Sequence, residues 1–490
     1  MSVGHVSQEP VSASDNLRRV AQDPVPIDEH GPRVIRGPAP AGERVPVVII
    51  GAGACGLTAA WRLGRAGIEC VLIERDAVPS GSTALSSGFI PAAGTRAQQL
   101  AGVTDSPAEF AADIRAKAHG QAAPHLVTAY TEAIPQAIDA LQEAGLTFEV
   151  LDGFLYPGHH ARRMHSLPER TGAALVGALT NTATEAGAYL LTDTIARELW
   201  CDADGRITAV GCERPDGGRE VIGCDVLLLA CNGFGGNLAM RREYLPAMAD
   251  AEYGGHVGND GSAVQWGLQL GARLADMGGY QGHGSWAIPQ GALISWAVIM
   301  DGGVQINRAG KRFHDETQGY SEAAVHVLAQ PEGVAWNVFD AHTLALLREF
   351  PDFRDAEAGG ALRCAADAAA LADIIGCDET TLTATLASVS HDLADAFGRR
   401  FTRRLEAPYY AIKVTGALFH TQGGLDIDAQ CRVLNTNGNV FPNLLAAGGA
   451  ARGVSGNEVS GYLSGNGLLS AVAGGYIAAA TAAELLGRPL

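Results

Sequence analysis

The pattern of apolar and polar positions is sharpest over residues 47–75, VVIIGAGACGLTAAWRLGRAGIECVLIER. Val47, Val48, Ile49 and Ile50 are apolar without alternation, as in a strand buried on both faces of a parallel sheet. Leu57, Ala60, Trp61 and Leu63 then recur at helical spacing, and residues 69–73 predict a second strand. Helical periodicity returns over residues 106–145 and 169–187. Residues 206–211 and 220–222 predict a hairpin turning at Pro215, Asp216, Gly217 and Gly218, and 224–236 predict another buried strand. A segment of different character, with Trp286, Trp296 and Trp336, runs from about 278 to 410, and its stretch around 355–397 is alanine-rich and helical. Short strands, a hairpin turn at Asn437 and Gly438, and a long small-residue helix over 465–486 close the chain. The pattern predicts an α/β nucleotide domain in two parts, residues 43–280 and 411–490, with an α+β cap at 281–410 inserted between them.

At 490 residues the chain exceeds the size of a single hydrophobic core, consistent with that division. Residues 1–42 lack an apolar core and read as a flexible arm or one draped over the surface, without the hydrophobic region of an export signal. No apolar run reaches the ~20 residues of a membrane span. The net charge of −18 disfavours a nucleic-acid partner. Nine cysteines, odd in number and without CxxC spacing, predict free thiols, no metal site and a reducing cytoplasm.

The break after Ile50 is where chemistry enters. Gly51, Gly53 and Gly56, with Ala54 and Cys55 between them, form a strand-to-helix turn tight enough to admit a pyrophosphate at the helix N-terminus. Glu74, followed by Arg75, ends the second strand, where an acid accepts hydrogen bonds from a ribose. Together these make a dinucleotide fingerprint. The loop GSTALSSGFIPAAGT at 81–95 adds donors at Ser82, Thr83, Ser86, Ser87 and Gly88 for a flat cofactor and its phosphates.

GAGACG with Glu74, GSTALSSG, LLLACNGFGGN, NRAGKRFHDE, and HTQGG followed by NLLAAGGAARG and SGNGLL occur in that order. On these motifs the chain resembles the FAD-dependent fumarate reductase and 3-ketosteroid dehydrogenase superfamily. The resemblance implies a Rossmann-type, GR2-like flavoprotein fold and an extended FAD. Gly233, Gly448, Asn466, Gly467 and Leu468 join the cofactor residues through the later motifs. Ser82 stands where covalently flavinylated relatives carry His, which implies non-covalent FAD.

The resemblance also divides the two branches. The histidines of the fumarate reductases match His283 and His420, but their charged positions fall on Trp296, Ile299, Tyr320 and Tyr462. A dicarboxylate clamp stripped of its cations leaves anions unpaired, so fumarate reduction is disfavoured. Tyrosine at 320 and 462 is similar to the 3-ketosteroid dehydrogenases, which implies a Tyr320 base for the proton alpha to a ketone. It also implies that Tyr462 and a main-chain N–H near Gly465 hold the ketone oxygen, with Tyr156 assisting. The expected reaction is desaturation of a cyclic ketone, steroid-like or single-ring, with electrons passed to an unidentified acceptor. The alternatives are the reverse reduction of an activated double bond, or an FAD protein that only carries electrons. Tyr156 and a protonated His283 are the expected helpers of a Tyr320 phenolate. Trp286 and Trp296 read as core or cavity wall, and His159, His160, Arg162, Arg163 and His165 as a solvated basic loop or a carboxylate anchor.

Overall fold

In the computed structural model, residues 31–152, 155–389 and 394–490 are described. The first apolar run forms strand β2 (Arg44–Ile50), the helical spacing forms α1 (Ala54–Arg65), and β3 (Cys70–Ile73) follows. β2 and β3 pair in parallel, Val47 opposite Cys70 through Ile50 opposite Ile73. β4 (Tyr189–Leu191) extends this edge, also in parallel. On the other side lies β7 (Arg219–Leu229), preceded by β5 (Ile195–Cys201) and β6 (Ile207–Glu213). The second arm of the expected hairpin and the expected buried strand are one continuous element. The first half of β7 pairs antiparallel with β6, and its apolar second half pairs in parallel with β2.

β1 (Arg33–Arg36) closes the far edge, parallel to β5. This differs from the flexible arm expected over residues 1–42. Val34 and Ile35 give the segment a strand pattern, and Arg33 pairs with Glu198 across the edge. Residues 1–30 of that arm, including Arg18 and Arg19, lie outside the described residues.

A second sheet is built around the 13-residue strand β12 (Tyr409–Thr421), which pairs antiparallel with β8 (Tyr280–Ala287) and with β10 (Val334–Asp340); β9 (Val304–Ile306) pairs with β10. This sheet extends to Thr421, beyond the expected boundary at 410, because apolar residues such as Ile412, Val414 and Leu418 continue one strand across it. α5 (Tyr320–Leu328) packs on β8, where Gly282 and Gly284 leave no room for a side chain against Ser321, Ala323 and Ala324.

The chain returns to the first sheet through β13 (Arg432–Leu434) and β14 (Val440–Ala446), the latter parallel to β7. It ends in α6 (Asn466–Leu485), a helix of 20 residues. By length and composition α6 could cross a bilayer, contrary to the expectation that no such run exists, yet 61% of its apolar window is buried inside the fold. Gly475 lets α6 lie against α1, since a Cβ there would stand 2.2 Å from the Cys55 carbonyl oxygen.

Candidate active site

Two connected cavities run between these sheets. The first, about 840 Å³, lies over the turn that joins β2 to α1. Gly51 takes φ +106° and its missing Cβ clears the Ala230 carbonyl, while a Cβ on Gly56 would sit 2.0 Å from the Gly51 oxygen. Gly56 therefore seats the helix on the strand and does not face the cavity. Gly53 meets only Thr83 Oγ1, at 3.4 Å, so the turn keeps an open face toward the space. Ala54 and Cys55 begin α1 there, and the Ala54 N–H donates to Thr83 Oγ1 at 3.1 Å.

Glu74 and Arg75 wall the far end. One Glu74 oxygen accepts from the Ala52 N–H at 2.9 Å and the other from the Asp76 N–H at 3.1 Å, which fixes the carboxylate at the strand end. Arg75 is held by Asp260 at 3.0 Å. Ser82, Thr83, Asn232, Gly448 and Gly449 wall both cavities and make them one channel. Ser82 Oγ accepts from Asn259 Nδ2 at 2.8 Å.

The second cavity, about 1180 Å³ including its mouth, gathers Tyr156, His283, Tyr320, His420, Tyr462 and Gly465 from widely separated parts of the chain. Ser86, Ser87, Gly88, Gly467 and Leu468 also face it. The His283 ring stacks on Tyr320 at 4.7 Å, and the Tyr320 and Tyr462 rings stand 6.1 Å apart. Tyr462 and Ser464 are polar neighbours of the Tyr320 phenol. The Tyr462 oxygen lies 3.5 Å from His420 Nε2, with the Gly465 and Gly467 N–H groups nearby. Gly465, with φ +86°, is the N-cap of α6 and makes no side-chain cap, so the helix N-terminus opens on this end of the channel.

Burial sets the charges. It raises Tyr320 well above the ordinary phenol value, with the neighbouring Tyr462 adding to the rise, and it raises Tyr462 and Tyr156 as well. It lowers His283 to about 3 and His420 to about 4. Both histidines are neutral at pH 7, which corrects the expectation of a protonated His283 beside Tyr320. The Tyr156 hydroxyl is bonded to the Ser295 side chain. Among the described residues lining this cavity, none is Lys, Arg, Asp or Glu.

Some expected residues lie outside the walls. Gly233 packs beneath β12, where a Cβ would stand 1.9 Å from Thr421 Oγ1, and the adjoining Asn232 faces the channel instead. Asn466 is buried, with its amide nitrogen on Ser455 Oγ at 3.0 Å. Trp296 is core and stands edge-on to His283, while Trp286 backs Phe419, which with Leu293, Phe89 and Met164 forms the apolar wall. The basic loop is not solvated as a unit. Arg163 is buried on Asp105 and Asp113, and His159 and His165 are buried with it. The Arg163 charge is taken up by two aspartates far away in sequence. Among the described residues no three of His, Cys, Asp and Glu gather as metal ligands.

The model of the FAD_binding_2 family, described as an FAD binding domain, matches residues 46–468. The chain belongs to that family. As an FAD binding domain it takes FAD, and the channel fits the group: an open glycine turn, a fixed acid at one end and an uncapped helix N-terminus at the other. The chain is 28% identical over 422 residues to an NADH:fumarate oxidoreductase of Klebsiella pneumoniae, covering 84% of this chain but 45% of that protein, so it spans under half of that relative's length. It is 28% identical over 371 residues to a 4-oxocyclohex-2-ene-1-carboxylate 5-dehydrogenase of Sinomonas cyclohexanicum, covering 66% of this chain and 62% of the relative. Among solved structures, a flavocytochrome c3 fumarate reductase in its open conformation superposes with a TM-score of 0.76 at 25% identity, over 98% of this chain and 83% of that one. A 3-ketosteroid Δ4-(5α)-dehydrogenase of Rhodococcus jostii shares the fold, with a TM-score of 0.72 at 22% identity over 90% and 97%. The FAD binding domain thus resembles fumarate-reducing flavoproteins in sequence and shares its fold with a ketosteroid dehydrogenase.

Proposed function

We propose that the protein desaturates a cyclic ketone, introducing the double bond between the carbons alpha and beta to the carbonyl. One observation carries this reading: the cavity that gathers the tyrosines and histidines has no charged side chain on its described walls, and both histidines are neutral. A carboxylate there would be desolvated without a partner. A neutral ketone needs only hydrogen-bond donors.

FAD supplies the two-electron chemistry, taking up hydride from the beta carbon. Tyr462 is placed to donate to the ketone oxygen. The nearby Gly465 and Gly467 N–H groups oppose the rise that burial gives its phenol and so keep it a better donor. Donors aimed at that oxygen stabilise the enolate that forms as the alpha proton leaves. Tyr320, as the phenolate, takes that proton: the alpha C–H bond breaks and the Tyr320 O–H bond forms. Phe419, Leu293 and Met164 keep water from the reacting carbons.

The reverse reaction, reduction of a neutral enone, is the second reading, favoured by the match to an NADH:fumarate oxidoreductase. Anaerobic mixing of oxidised holoenzyme with neutral cyclic ketones should bleach the flavin, and succinate should not. Turnover of fumarate by the reduced enzyme at ordinary rates, about 1–1000 per second, with no response to any ketone or enone, would overturn the neutral-substrate reading.

A further inference from the structure

Gln422 follows the last residue of β12, and its main chain is tied on both sides. Its N–H donates to the Gly279 carbonyl at 2.8 Å, and its own carbonyl accepts from the Gly453 N–H at 2.7 Å. The side chain continues a row of buried polar groups. Asn466 Nδ2 donates to Ser455 Oγ at 3.0 Å, Ser455 Oγ donates to Gln422 Oε1 at 2.8 Å, and Gln422 Nε2 lies 3.2 Å from His420 Nδ1. Gln422, Ser455 and Asn466 are all buried, so the row must satisfy itself. Turning the Gln422 amide alone would place two NH2 groups on Ser455 Oγ and leave its hydroxyl proton without an acceptor among the described residues. Turning the Asn466 amide as well would strand two N–H donors where one oxygen now lacks a partner. Gln422 therefore donates, and His420 Nδ1 accepts.

We propose that Gln422 is a positioning residue for His420: its amide, oriented by Ser455 and Asn466, holds the imidazole proton on Nε2, so that Tyr462 accepts from His420 and donates its own proton to the ketone. The proposal rests on Tyr462 being the donor to the ketone oxygen. Burial keeps His420 neutral at pH 7, so the ring has a single N–H. With Nδ1 accepting, that proton is on Nε2, the nitrogen 3.5 Å from the Tyr462 oxygen. A Cβ on Gly467 would stand 2.6 Å from Nε2, so the ring lies close against the start of α6 and presents the same nitrogen to Tyr462 in either tautomer. A rival stands at Nδ1. The Thr421 carbonyl is also 3.2 Å away and would accept a proton from that nitrogen. Nε2 would then be an acceptor and would draw the Tyr462 O–H away from the substrate. Gln422 and Thr421 thus pull the imidazole proton in opposite directions, and the Gln422 N–H decides between them.

The test uses the FAD-loaded protein with isotopically labelled histidine nitrogens, whose NMR shifts report which ring nitrogen carries the proton. Signals missing from His420→Gln identify the ring. Wild type should show the proton on Nε2 at pH 7. Gln422→Met, similar in size and without an N–H, leaves Nδ1 facing the Thr421 carbonyl and should move the proton to Nδ1. It should also slow flavin reduction by a cyclic ketone about 10–100-fold, the loss of one hydrogen bond to a developing charge, with FAD content unchanged. Ser455→Ala frees the Gln422 amide to turn and should move the proton in the same direction. Ser455 is not on the cavity wall, so this variant guards against a packing defect in the methionine one. Movement in either variant supports the proposal. A proton on Nδ1 in the wild type, or one that stays on Nε2 in both variants, overturns it, whatever happens to the rate. If no ketone reduces the wild-type flavin, the desaturation reading falls, while the ring shifts still report the Gln422 bond.

Discussion

Tyr320 is the first residue of α5, buried to 8% exposure among His283, Trp296 and Tyr462. A free phenol has a pKa near 10, so about one part in a thousand is ionised at pH 7. Burial lowers that fraction further, because the anion is the form that loses hydration. A rate that depends on the phenolate must therefore climb with pH through the neutral range and beyond it. Tyr320→Phe should lose about 100–10,000-fold in flavin reduction and lose that climb, with FAD content intact. Stopped-flow rates across about pH 6 to 10 check both, and a variant within a few-fold of wild type would make Tyr320 a packing residue. Ser82 carries a separate expectation. It offers a hydroxyl where covalently flavinylated relatives have an imidazole, so acid precipitation should leave all the flavin in the supernatant.

Elements governed by short-range pattern were legible in the chain. β2, α1 and β3 follow from one β-branched run, one helical repeat and three glycines, and each is where the pattern places it. The tyrosines were located only through matched motifs, since nothing in their local spacing brings residues 156, 320 and 462 to one cavity. The basic loop misled because its partners are 50 and 58 residues away, and a His- and Arg-rich stretch carries no local sign that aspartates will bury it. At this scale Gly56 is a sharp test. An added Cβ 2.0 Å from the Gly51 oxygen must push α1 off β2, and the helix N-terminus moves with it. Gly56→Ala should lose about 1–3 kcal/mol, the range for overpacking, and should purify with much less FAD. Chemical denaturation of the apoprotein and the ratio of flavin to protein absorbance measure the two effects separately.

Across the whole molecule, several histidines lie buried and neutral. His159 locks the Ser464 peptide, His283 stacks on Tyr320, and His314 bonds Gln305 Oε1 at 2.9 Å beside the buried Arg312, Glu316 and Arg399. Burial holds His159 and His314 at about 4 and His283 at about 3, against the usual 6.5. A histidine with a depressed pKa in the fold is protonated first in the unfolded chain. The unfolded state then binds more protons below pH 6.5, and stability falls as pH drops from there toward the folded values. At pH 5 the linkage is on the order of 2 kcal/mol per histidine. Three such groups would remove a large share of the ~5–15 kcal/mol that holds a typical fold. Glu316 adds a later loss: Arg312 and Arg399 hold it at about 2, so its contribution fades only below the ordinary carboxylate range, near 4.5. Two stages are therefore expected in the melting temperature of the apoprotein, a decline beginning near pH 6.5 and a steeper one below about 4.5. His314→Gln, which keeps a donor for Gln305, should shrink the first stage by about a third and leave the second in place. A melting temperature that is level from pH 7.5 to 5 would show that these histidines take up protons in the folded state, and the neutral cavity assigned to the substrate would lose its basis.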